Sequence, residues 1–243
     1  MNLVFPHRGS FRVLPLFICL SLSAQDSSGL EARQLYYKSK SALEDQGAKT
    51  PAESTPPAKP ANPPTPPASH KKPAPAPLGL KYSLEQEDPS GNGVQVDPDK
   101  VFRTGDALRL RLEVNSDSYV YLLSRGASGD GTYLFPQSGE DNKLKAFHSV
   151  QVPAKTGDPL RFDEPAGTET LYIVVSRSPV TGLDHELTPA MVAQQLQSRD
   201  LVRGKVRPAD TAPKINPEHA VYAVNTSSAP GALVVQKLEL KHR

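Results

Sequence analysis

The chain has a single cysteine, Cys19, and it lies inside an apolar run close to the N-terminus. A disulfide framework and a cysteine metal site are therefore both excluded. Tryptophan is absent. The longest apolar run, residues 13–22, is about ten residues, half of the roughly 20 that a membrane-spanning helix needs. Charge of one sign is not concentrated anywhere: 28 Lys and Arg face 26 Asp and Glu, a net charge of +2. From Gly79 onward acids slightly outnumber bases. The basic face expected of a nucleic-acid binder is missing.

Catalytic spacings are also missing. No serine sits on a G-x-S-x-G elbow, and Ser128 merely belongs to a glycine-rich stretch, 126–131. That stretch is not closed by Gly-Lys-Ser/Thr, so it does not read as a phosphate cradle. His148, His185 and His219 show neither His-x-His nor HExxH spacing, although with Asp130, Asp163 and Asp184 they could supply triad partners. Asp88, Asn92, Asp97 and Asp99 could line a calcium loop but read as ordinary turn residues. The sequence therefore predicts a protein that is not an enzyme and that holds no cofactor or metal.

What is present divides the chain into four parts. Residues 1–24 carry Arg8 and Arg12, then the apolar run, then small residues, with cleavage expected after Ser23 or Ala24. This is the pattern of an export signal, which implies a periplasmic or extracellular protein without a transmembrane span after its removal. Residues 25–48 are rich in helix formers but poor in large apolar groups, and read as a short, partly helical segment that is marginal alone. Within it Leu35, Tyr36 and Tyr37 form a compact apolar knot, a candidate partner-binding element that would order on a partner. Residues 49–77 hold eleven prolines among Ala, Lys, Thr and Ser. They read as a disordered, extended linker reaching on the order of 80–90 Å, a spacer rather than a PxxP ligand.

Residues 78–243 read as one β-rich domain. Leu108, Leu110, Leu112 and Val114 alternate with Arg109, Arg111 and Glu113, which marks a half-buried strand. Asn115, Ser116 and Asp117 read as a turn. Tyr119 to Leu123 is apolar on both faces, as in a central strand. Tyr133, Leu134 and Phe135 follow a glycine-rich turn, and Pro136 ends the pairing. These three strands are expected to form a meander. Strands are also expected at 80–84, 94–96, 146–152, 160–162, 170–176, 219–224 and 233–240, one helix from Thr188 to Asp200, and a loop over 202–218. The whole reads as an antiparallel β-sandwich, immunoglobulin-like or jelly-roll-like, with one short helix. Tyr119, Tyr121 and Tyr133 with Arg109 and Arg111 make a candidate ligand face, since tyrosine and arginine serve sugars and interface hot spots alike.

Gly105-Asp106 leading into Leu108-Arg109-Leu110, the strand Tyr119 to Leu122, Tyr133 to Pro136 and the run from Gly167 to Pro179 together resemble the bacterial family called domain of unknown function 4384. The resemblance covers about residues 78–180. It implies a small β-rich module of exported or envelope proteins and brings no catalytic residues with it. The expected function is a non-enzymatic envelope protein that meets a protein partner, with a glycan- or small-ligand-binding sandwich as the alternative.

Overall fold

A computed structural model describes residues 27–47, 76–125, 131–183, 189–210 and 218–243. The expected export signal and most of the proline-rich linker lie outside them, as does Thr188.

The described chain is mainly β. Its strands are β1 (Leu78–Glu87), β2 (Gly93–Val96), β3 (Ala107–Val114), β4 (Ser118–Arg125), β5 (Gly131–Phe135), β6 (Lys143–Leu144), β7 (Ser149–Val152), β8 (Leu160–Arg161), β9 (Gly167–Ser176), β10 (Leu201–Val206), β11 (Ala220–Asn225) and β12 (Leu233–His242). Two helices are described, α1 (Ser27–Gly47) and α2 (Pro189–Leu196). The first sheet runs β10-β11-β1-β3-β7, with β2 on β1 and β8 on β3. The second runs β12-β9-β4-β5, with β6 on β4. Every pairing between these strands is antiparallel.

The alternation of β3 does what its pattern dictates. Leu108, Leu110, Leu112 and Val114 enter the core between the sheets, meeting Leu80, Leu84, Val120, Leu122, Ile173 and Val175. Leu122 and Leu123 are both buried because β4 is covered twice. Its inner face meets that core, while Tyr121 and Leu123 meet Tyr172, Val174, Leu183 and Val192 on the outside, under α2.

Three expectations need correction. The stretch 105–136 is not a meander, because β3 belongs to the first sheet and β4 to the second. The turn between them is a corner that crosses the sandwich. Asn115 in it is fully buried, and its Oδ1 accepts a hydrogen bond from the Gly79 amide at 2.6 Å. The edge strand β10, Leu201–Val206, takes up the first part of the loop expected over 202–218. Helix α1 is not a separate frayed segment: it lies on the outer face of the first sheet, across β10 and β11.

The residues that dock α1 are mostly small. Gly29, Ala32, Tyr36 and Ser39 are its buried positions, spaced three, four and three apart along one helical stripe. Close approach is the reason for the glycines. A Cβ on Gly29 would stand 2.0 Å from the Lys205 carbonyl oxygen, and one on Gly204 would stand 2.2 Å from the Gly29 nitrogen. While α1 is docked, the linker begins and ends on the same folded body. It could then act as a spacer only if the helix left the sheet.

Candidate functional site

The Leu35, Tyr36, Tyr37 knot sits on the chain's own first sheet. Tyr36 is fully buried, and its ring makes edge contacts with Tyr222 at 5.4 Å and Phe147 at 5.8 Å. Its hydroxyl donates to Glu113 at 3.1 Å. Burial pushes that hydroxyl far above the usual tyrosine range, with the Glu113 charge adding to it, so it stays a donor. Leu35 and Tyr37 are half-buried at the rim of the same cluster. Tyr36 is therefore a docking residue of this fold and is not available to a partner while α1 is in place.

Beside this cluster lies a charged group. Glu218 is bonded to Arg33 at 3.0 Å, to Lys81 at 3.1 Å and to the Tyr222 hydroxyl at 2.7 Å. Burial disfavours its charge, but the Tyr222 hydrogen bond and the charges of Lys81 and Arg33 outweigh that and hold its carboxyl below the ordinary range. A carboxyl with a depressed folded-state pKa stabilises the fold above its unfolded value of about 4.3 and loses that effect as pH falls through the folded value. Docking of α1 should accordingly weaken below about pH 4. Limited proteolysis of residues 27–47 between pH 7 and pH 3 checks this, and Glu218→Gln should abolish the acid step.

The proposed ligand face divides in two. Tyr119, Tyr121 and Tyr133 do gather on the outer face of the second sheet, with Tyr121 and Tyr133 at 6.4 Å. Tyr121 is buried there, and its hydroxyl accepts the Val180 amide at 2.8 Å. Arg109 and Arg111 project from the outer face of the first sheet, on the opposite side of the sandwich. Arg109 is buried and fully engaged: it donates to Glu87 at 2.9 Å and to the carbonyls of Pro153, Ala154 and Gly157. Arg111 pairs with Glu85 at 2.6 Å. These five residues do not form one site.

The calcium-loop residues have other duties. Asp88 accepts the amides of Ser90 and Asn92 in a turn. Asp97 pairs with Arg207 at 2.9 Å, and Asp99 with both Lys205 and Arg207.

One hollow was missed by sequence reasoning. β12 packs over β11 and β1, and among the described residues no strand of the second sheet packs as closely on β10. The overhang leaves a hollow of about 600 Å³. Tyr82 and Val221 floor it from the first sheet, with Lys205 on the β10 side. Asp99 and Lys100 close one end. A second opening continues past Leu201 and Arg203 toward Ser28 at the start of α1. The β12 wall is informative. Gln236 and Leu238 point into the sandwich and Lys237, Glu239 and Lys241 point out of it, yet all of them line the hollow. Residues from both faces of one strand meet a common space only along the strand's edge. Burial pushes the Tyr82 hydroxyl on the floor above its usual range, and Gln236 holds a buried side-chain oxygen with no hydrogen-bond partner. An edge of this kind shows in pairing topology, which no periodicity in the sequence carries.

Residues 101–179 match the sequence model of the family described as Domain of unknown function (DUF4384). The matched stretch runs from just before Phe102 through β9, so the chain resembles that family over β3 to β9. β12, β10 and α1 lie outside it. No curated protein and no solved structure matches the chain.

Proposed function

We propose that this chain is a non-enzymatic, exported envelope protein that works as a protein-interaction module. The observation that carries the reading is the hollow under β10, an open strand edge walled by lysines, tyrosine and glutamine. The polar side chains singled out in the sequence serve the fold. Arg109 and Arg111 are bound to neighbouring strands and loops, His148 contacts the Ala146 carbonyl oxygen at 3.0 Å, and His219 stands beside Asp97 at 3.9 Å. Export rests on the charged start, apolar run and small residues of 1–24. Partner recognition passes from the Leu35 to Tyr37 knot, which α1 uses for docking, to the open edge.

Crosslinking in the intact cell tests the reading. A photoreactive residue in place of Lys237, at the hollow, should give discrete protein adducts in the envelope fraction. The same residue in place of Lys155, on the far face of the first sheet, should give none. Absence of adducts from Lys237, or recovery of the protein in the cytoplasm, would count against the proposal.

A further inference from the structure

The edge of β12 that borders the hollow has a definite hydrogen-bonding pattern. In an antiparallel strand both backbone groups of one residue point to the same side, and successive residues alternate. The Lys241 carbonyl accepts the Phe102 amide at 2.8 Å, and the Arg243 amide donates to the Phe102 carbonyl at 3.1 Å. Phe102 therefore sits on the side of β12 away from β9, and odd-numbered residues face that side. In the hollow Lys237 and Glu239 turn their amides and carbonyls to it, Val235 is covered at 1% exposure, and Gln236 and Leu238 bond to β9. Among the described residues only the Phe102 segment pairs along that edge, at its far end.

Gln236 supports this reading. Its side-chain amide folds back to donate to the Lys237 carbonyl at 2.8 Å, filling the position a neighbouring strand's amide would take. The remaining oxygen of that side chain is buried and unpartnered. The edge is thus capped at one carbonyl by its own strand, and incompletely.

We infer that the hollow receives an extended acidic peptide, which adds to β12 as a further strand of the second sheet opposite β10. This rests on the interaction-module reading and names the class of partner. Main-chain bonds to Lys237 and Glu239 supply affinity along about 10 Å, at roughly 3.3 Å per residue. Charge supplies selection: Lys205 pairs with Asp99 and Lys237 with Glu239, so Lys100 and Lys241 give the space its excess of positive charge. The chain's own linker has the wrong chemistry, since its eleven prolines lack amide donors and its four lysines repeat the charge of the walls. A second copy's β12 is recessed behind its own Asp99 and Lys100 wall, which disfavours edge-to-edge pairing of two copies.

The test uses the isotope-labelled full chain and an eight-residue peptide of alternating glutamate and valine. Binding should saturate and slow hydrogen exchange at the amides of Lys237 and Glu239. Lys237→Pro removes an edge donor without touching a β12–β9 bond, and should weaken binding at least tenfold with Gln236 and Leu238 still protected. Lys205→Glu should weaken the glutamate peptide and leave a glutamine counterpart unchanged. Binding without protection of the edge amides would overturn the inference. So would a galacturonate oligomer that shifts Tyr82 and Gln236 in the peptide's place, or self-association of the chain on sedimentation. If the peptide fails while Lys237 adducts persist in cells, the strand inference alone falls. If both fail, the module reading falls with it.

Discussion

Replacing Tyr36 with alanine should release α1 from the sandwich while the two sheets stay folded. Tyr36 is fully buried and is among the largest fully buried side chains. Truncating such an aromatic costs about 3–5 kcal/mol, counting lost transfer and the cavity left behind. Most of a helix's stability in a protein comes from the face it packs, and α1 loses that packing when it leaves the sheet. The loss therefore falls on docking rather than on the core, which lies between the sheets and does not include Tyr36. Proteolysis should cut within 27–47 in Tyr36→Ala and spare the rest. Tyr36→Phe keeps the ring contacts and loses only the bond to the Glu113 carboxylate, a difference of about 1.5–3 kcal/mol. Gly204→Val should reach the same undocked state by another route, because its Cβ would press on the Gly29 backbone. A protected α1 in Tyr36→Ala would refute this account of docking.

Phe102→Ala should destabilise the sandwich itself, again by about 3–5 kcal/mol. Phe102 is fully buried, and its ring stacks on Phe162 at 4.9 Å, which in turn stacks on His242 at 5.1 Å. Its backbone holds the end of β12 through Lys241 and Arg243. Chemical denaturation should show the full loss, and amides 241–243 should exchange faster than in the parent. The adjacent Val101 is 47% exposed, and Val101→Ala should fall within about 0.5 kcal/mol of neutral. Equal effects from the two substitutions would show that the three-ring stack is not what holds this end together.

Much of the sandwich was legible because burial writes itself into alternation. β3 and β9 are examples: the first has one wet face, the second ends in a run covered on both sides. The tyrosine cluster followed from β4 and β5 being neighbours. The division of the ligand face did not. Alternation tells which face a residue takes within its own strand, and is silent on which sheet the strand joins. Asn115 to Asp117 has the composition of a hairpin turn and acts as a corner between sheets. Helix α1 escaped for a different reason. Its contact stripe is Gly29, Ala32, Tyr36 and Ser39, so a search for large apolar residues finds only one of four. β10 was hidden because it is an edge strand whose inner side chains include Arg203 and Lys205, facing the open hollow instead of a second sheet.

Hydrogen exchange on the unliganded chain, read residue by residue, tests the open edge most directly. The account predicts a sawtooth along β12: Gln236 and Leu238 slow, Lys237 and Glu239 fast, with the α1 amides from Ala32 to Ser39 slow as well. Uniform protection along Gln236 to Glu239 would mean that something already pairs with this edge, and would contradict the central claim.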